Sequence, residues 1–102
     1  MKAKLVCTIG KLKGKEIPLS AEITIGKDAA NALVIQDKYI SRRHARIYFD
    51  AEQGSYILED LKSRNGTRLD GEKVRHKDRL SNIHVITFGN RVDFFFVGME
   101  DG

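Results

Sequence analysis

Short runs of branched and aromatic residues, each closed by glycine, asparagine or aspartate, set the rhythm of this chain. No window keeps helical spacing of apolar residues over three turns. β-Branched and aromatic side chains fit a pleated surface, and runs bounded by turn residues read as strands. Such runs fall at 5–9, 17–19, 23–25, 33–35, 45–50, 55–60, 85–88 and 92–97. Ala45, Ile47 and Phe49 alternate with Arg46, Tyr48 and Asp50, as in a strand with one buried face. Asp70-Gly71 and Gly89-Asn90 are residue pairs that suit the positive φ of tight hairpin turns. Counting shorter pieces, about eleven strand-like runs emerge, and the expected class is an all-β sandwich or barrel.

The 102 residues are enough for one domain, 1–102, and too few for two. One proline and no repeat or low-complexity segment leave nowhere for a linker. The small acidic end, 98–102, is expected to fray. Ile23, Ile25, Val34, Ile47, Phe49, Ile57, Leu58, Leu61, Leu80, Ile86, Phe88, Phe94 and Phe96 are the expected core. At roughly 1.5–3 kcal/mol per buried large side chain, that core needs no metal or disulfide. Cys7 is the only cysteine, which excludes an intramolecular disulfide and a Cys-dominated zinc site. The first residues lack the apolar stretch of a signal peptide, and no run approaches the ~20 apolar residues of a membrane span. A cytoplasmic location without membrane contact is the expectation.

Lys and Arg number 18 against 14 Asp and Glu, a net charge of +4. The excess favours an anionic partner without selecting one. Three segments concentrate the relevant chemistry: Ile25-Gly26-Lys27-Asp28, Ile40-Ser41-Arg42-Arg43-His44-Ala45 and Ser63-Arg64-Asn65-Gly66-Thr67. They offer hydroxyls, an amide and several cations. A phosphate dianion presents only acceptor oxygens, so it needs such a donor set. Each segment also has a plainer reading. Ser41 to His44 could be an exposed basic turn, Asn65-Gly66 a β-turn with positive φ, and Gly26 a tight bend.

Taken together and in this order, the three segments resemble the forkhead-associated (FHA) domain. Gly26-Lys27 follows an Ile-x-Ile strand, Ser41-Arg42-Arg43-His44 comes next, and Asn65-Gly66-Thr67 closes the series. Leu58-Glu59-Asp60-Leu61-Lys62-Ser63, ahead of Asn65, is similar to the family as well. The resemblance implies an FHA/SMAD-like fold, a two-sheet antiparallel β-sandwich of eleven strands. It implies a phosphothreonine-peptide site in loops at one end, no catalytic residues and no cofactor. Ser41 would hydrogen-bond the phosphate, and Arg42 would reach the phosphate or its flank. Asn65 would hold the peptide backbone, with Arg64 lining the same loop. Tyr39 would lie where residues C-terminal to the phosphothreonine are read. Gly26, His44, Gly66 and Thr67 would support the site. The implied partner is a phosphothreonine-containing protein or peptide, a kinase substrate.

One position departs from the family, which usually has arginine after that glycine. Lys27 is a compact charge, without the planar fork that grips phosphate through two parallel bonds. A phosphate-independent interaction domain of the same fold therefore stands as an alternative. A basic nucleic-acid-binding β domain is the other, with Tyr39 as the main loop aromatic for base stacking. Gly10-Lys11-Leu12-Lys13-Gly14-Lys15 fails the P-loop pattern on spacing and lacks a following helix. Asn65-Gly66-Thr67 matches a glycosylation acceptor only formally. His44, His76 and His84 have no neighbours at metal-ligand spacing, so no metal is expected. Ser41 with His44 lacks an evident third member for nucleophilic catalysis.

Overall fold

The computed structural model describes residues 2–99, which form eleven strands in two sheets. In chain order these are β1 (Lys2–Ile9), β2 (Glu16–Pro18), β3 (Glu22–Gly26), β4 (Leu33–Val34), β5 (Ala45–Asp50) and β6 (Ser55–Asp60). They continue as β7 (Thr67–Leu69), β8 (Glu72–Lys73), β9 (Lys77–Leu80), β10 (Ile83–Phe88) and β11 (Val92–Met99). One sheet has the order β2-β1-β11-β10-β7-β8, and the other β4-β3-β5-β6-β9. Period-two alternation explains the layering. Leu5 and Cys7 in β1, Ile86 and Phe88 in β10, and Phe94 and Phe96 in β11 face Ile25, Ile47, Leu58 and Leu80 of the other sheet, in one shared core.

The sandwich is not wholly antiparallel as expected. β3 and β4 pair in parallel, Ile25 with Leu33 and Gly26 with Val34. The chain leaves β3, circles through 27–32 and returns beside the strand it has just left. That circuit makes one of the loops described below. Of the end expected to fray, residues 100–102 lie outside the described residues, and Gly98 and Met99 pair with Ala3 and Lys2 in β11.

Ten of the thirteen expected core residues are buried, and the three others are half-buried, each for a different reason. Leu33 and Ile35 turn inward, so Val34 between them faces out and is half-buried. Phe49 packs at the core's margin with its ring 5.2 Å from that of Tyr56, edge to face. Leu61 follows the end of β6 and is half-exposed in a loop. The charged run 77–79 does not form a loop but most of β9, which pairs Lys77 with Glu59 and Asp78 with Leu58. β9 is an edge strand, where charged side chains are tolerated and discourage further pairing.

Candidate functional site

Three connections meet at one end of the sandwich: 27–32 after β3, 35–44 after β4 and 61–66 after β6. Backbone bonds join the first two. Lys27 N–H donates to the Ser41 carbonyl at 2.9 Å, Asp28 N–H to that of Arg42 at 3.2 Å, and His44 N–H to that of Ile25 at 2.9 Å. Gly26 permits this approach. A Cβ there would lie 2.1 Å from the Arg42 carbonyl oxygen, so any side chain would push the loop away. The same carbonyl accepts Asn31 Nδ2 at 2.6 Å, which fixes the peptide following Arg42.

His44 joins the second loop to the third. It is fully buried at the start of β5, its ring 5.7 Å from that of Phe88. Nδ1 accepts the Ser41 N–H at 3.0 Å, and Nε2 lies 2.9 Å from the Gly66 carbonyl. A backbone N–H can only donate and a carbonyl can only accept. The imidazole is therefore neutral, with its proton on Nε2. Burial lowers its pKa below the ordinary histidine value, against the opposing pull of the Gly66 carbonyl and the Asp60 carboxylate. Gly66 has φ 87°, the left-handed conformation in which glycine carries no Cβ penalty.

The third loop is braced from beneath by Asp60. Its Oδ1 accepts the hydroxyls of Ser63 at 2.5 Å and of fully buried Thr67 at 2.7 Å, and its Oδ2 accepts Ser63 N–H at 3.1 Å. Ser63 Oγ in turn accepts Gly66 N–H at 3.1 Å. This leaves the tip, Arg64-Asn65, turned towards Ser41. Arg64 N–H donates to Ser41 Oγ at 3.0 Å. Asn65 Nδ2 donates to the Tyr39 carbonyl at 2.9 Å.

Lys27, Lys38, Ile40, Ser41, Arg42, Arg64 and Asn65 line a cavity of about 430 Å³ between these loops. Four of its walls are cationic and none is acidic. Among the described residues no ion pair involves Lys27, Lys38, Arg42 or Arg64. Positive charge is thus concentrated without an internal counter-ion. Ser41 Oγ already accepts an amide proton, so its own hydroxyl proton is the group left to offer. Asn65 spends one N–H on Tyr39 and keeps the second. The cavity holds donors and cations in fixed relation, which suits an anion carrying several acceptor oxygens.

Tyr39 lies at the cavity's margin rather than in its wall. The residue is 38% exposed, with Lys38 Nζ 5.3 Å and Arg91 Cζ 4.9 Å from the centre of its ring. Sequence reading missed the turn between β10 and β11 as part of this end. Gly89 N–H donates to the Gly66 carbonyl at 2.9 Å, and a Cβ on Gly89 would meet the Tyr39 carbonyl at 2.5 Å. Asn90 Nδ2 reaches the Asn65 carbonyl at 3.4 Å. The Gly89-Asn90 pair signalled a hairpin, and nothing local in it signalled contact with residues so distant in the chain. Asn31 was missed for the same reason.

A second arrangement joins Ser81, His84 and Asp70. Ser81 Oγ is 3.2 Å from His84 Nε2, and His84 Nδ1 is 2.7 Å from Asp70 Oδ2. Catalysis would need Nε2 free to take the hydroxyl proton. Its lone pair instead accepts Ser81's own amide N–H at 2.9 Å. The trio clamps the β7–β8 turn onto β10, where Val85 N–H also donates to Asp70 Oδ1 at 2.9 Å. Hydrogen bonding from His84 is the main influence holding the Asp70 carboxyl below its ordinary value. Among the described residues no three His, Cys, Asp or Glu side chains converge as metal ligands.

Comparison with known proteins agrees with this geometry. The sequence profile of the FHA domain matches residues 23–89, from β3 to the turn after β10. FhaB of Mycobacterium tuberculosis, an FHA domain-containing protein, is 44% identical over 71 residues, which cover 69% of this chain and 44% of that one. This chain thus spans less than half the length of that relative. The crystal structure of the FHA domain of CT664 from Chlamydia trachomatis superposes with a TM-score of 0.86, covering 98% of this chain and 100% of that one at 29% identity. The structure of Mycobacterium tuberculosis EmbR in complex with a low-affinity phosphopeptide gives a TM-score of 0.79 at 26% identity, over 98% of this chain and 26% of that one. With the profile spanning the three loops that build the cavity, the chain is a member of the FHA domain family.

Proposed function

We propose that this chain is a phosphothreonine-dependent protein-interaction module that recruits a phosphorylated partner through the Ser41 cavity, without catalysis. The observation that carries the reading is the commitment of Ser41 Oγ to the Arg64 amide, which leaves its hydroxyl proton to donate at the wall of a cation-lined cavity. The phosphopeptide carried by EmbR is a ligand of the same class on a related fold. In this reading Ser41 and Arg42 bind phosphate, and Lys27 contributes charge without a fork. Asn65 and Arg64 hold the peptide chain, and Tyr39 meets residues beyond the phosphothreonine. Gly26, His44, Gly66 and Thr67 maintain the loops. Residues 1–102 work as one unit. No helix among the described residues is long and apolar enough to cross a membrane, and the proposed setting is the cytoplasm, where kinases supply the ligand.

The nucleic-acid alternative needs exposed aromatic platforms. Tyr39 and Phe95 are the exposed aromatic rings among the described residues. Tyr39 is already covered in part by Arg91 and Lys38, and Phe95 stands on the outer face of the β1–β11–β10 sheet, opposite Val6 and Val85.

The test is one peptide made with threonine, phosphothreonine and phosphoserine, titrated by calorimetry. Phosphothreonine should bind best, and phosphoserine about fourfold or more weaker, the worth of one buried methyl. The unphosphorylated peptide should give no measurable heat. Comparable binding of the unphosphorylated peptide would overturn the function; equal binding of the two phosphopeptides would remove only the methyl preference.

A further inference from the structure

The loop tip Arg64-Asn65 has a second cavity on its other flank. It measures about 410 Å³ and runs between 60–68 and 73–75. Its lining includes Lys62, Arg64, Arg68, Lys73 and Arg75. Arg64 and Asn65 line both cavities, so the two are contiguous. We propose that this second cavity is a subsite for a further anionic group on the same ligand, an acidic side chain or a second phosphate. The inference rests on the phosphopeptide reading above and specifies which phosphopeptides the chain selects.

Charge balance is the first ground. The one carboxylate in the lining is Asp60. Both its oxygens are occupied by Ser63 and Thr67, which turns its charge to the base of the loop. Among the described residues none of the five cations forms an ion pair. Like charges gathered without a counter-ion repel one another, and an incoming anion relieves that repulsion.

The second ground is that the walls are fixed. Val74 is buried, and its N–H donates to the Thr67 carbonyl at 2.9 Å. Lys73 and Arg75 flank it and are exposed. Burial of the residue between them holds both at the same rim. Arg68 is held by Nε donating to Asn90 Oδ1 at 2.9 Å and Nη1 to the Gly71 carbonyl at 3.2 Å, which leaves its remaining N–H groups available. A guanidinium held this way loses little freedom on binding.

The third ground is backbone strain. Lys62 has φ 57°, a conformation that costs a side-chain-bearing residue energy and suits glycine or asparagine better. A lysine occupies the position, and this residue is part of the cavity's lining. Strain of this kind gathers at ligand sites.

The experiment compares three phosphothreonine peptides: one with neutral flanks, one with glutamates at successive positions on either side, and one with a second phosphate in their place. Each is titrated at about 0.15 M salt against the native chain, Lys73→Ala/Arg75→Ala and Ser41→Ala, with Tm recorded for all. The native chain should bind the acidic or doubly phosphorylated peptide about five- to tenfold more tightly than the neutral one, from two exposed charge contacts. Lys73→Ala/Arg75→Ala should abolish that gain and leave the neutral-flank affinity and the Tm unchanged. Which anionic peptide gains more identifies the source of the second charge. Equal affinities of all three peptides on the native chain, or a gain that survives in Lys73→Ala/Arg75→Ala, would overturn the subsite while sparing the Ser41 site. Absence of phosphothreonine binding altogether would overturn both. A single-stranded oligonucleotide that binds more tightly than any peptide, and loses affinity in Lys73→Ala/Arg75→Ala, would assign the cavity to nucleic acid and overturn the proposal.

Discussion

Two basic loops of this chain, 10–15 and 39–44, are held in different ways. The 10–15 loop carries Lys11, Lys13 and Lys15, all exposed. It is closed by backbone bonds of its own turn, Lys13 N–H to Gly10 O at 3.1 Å and Lys15 N–H to Leu12 O at 2.9 Å, and by Gly14 N–H to Cys7 O at 2.8 Å. The 39–44 loop is instead tied to three other segments: to 27–28 by backbone, to 64–66 by Ser41, His44 and Tyr39, and to Gly89 by close packing. Charge alone attracts an anion in proportion to the local field, and salt screens it. Recognition needs donors whose positions are settled before the ligand arrives.

Substitutions can break this contrast. The largest effect is expected for Ser41→Ala, which removes a charge-assisted bond worth about 1.5–3 kcal/mol. Phosphopeptide affinity should fall about 10- to 100-fold by calorimetry, and unchanged affinity would remove Ser41 from the site. His44→Ala comes next and acts on stability. It leaves the Ser41 N–H without a partner and the Gly66 carbonyl with the Gly89 N–H alone, a loss of about 1–3 kcal/mol, or a fall in Tm of roughly 4 °C or more. An unchanged Tm would show that the loops stay joined without it.

The same histidine gives the contrast a pH dependence. Its folded pKa lies below its unfolded value of about 6.5, because burial disfavours the imidazolium and a proton on Nδ1 would face the Ser41 N–H. Its contribution to stability is thus complete above about pH 6.5 and declines as pH falls below that. Urea melts between pH 7.5 and 5 should show the decline, and the slope should flatten in His44→Ala. The smallest effect belongs to the unbraced loop. Lys11→Ala/Lys13→Ala/Lys15→Ala should change phosphopeptide affinity less than about threefold, since exposed charges of this kind contribute little. A loss comparable to that of Ser41→Ala would show that charge, not bracing, selects the ligand.

Local chemistry made much of this molecule legible in the sequence. The Asp70-Gly71 turn, with φ 52° and 86°, follows from residues that tolerate positive φ. The strand 45–50 follows from its alternation. The three loop segments were recognisable as motifs, and the structure brings them to one cavity. Other features depend on neighbours distant in the chain. β9 holds one buried residue, Leu80, among charged ones, so it reads as a loop until β6 is placed beside it. Ser55, Tyr56, Ile57 and Leu58 are all buried, so β6 gave no phase to read. The 33–35 run is too short to show which residues face inward. Lys73 and Arg75 come to line the same cavity as Arg64 beside the Thr67–Val74 bond, which no local pattern encodes.

The pairing of Lys2 with Met99 places the first and last described residues side by side, about 5 Å apart between Cα atoms. They stand at the far end of β11 from the Gly89–Arg91 turn, across a strand of eight residues that spans ~27 Å at the usual rise. A host polypeptide could therefore run in and out through a single doorway, with the loops that meet the ligand facing away from it. Placed inside a longer protein, such a unit would project like a plug on a short double cord. Its neighbours on either side could be exchanged while the ligand's approach stayed open.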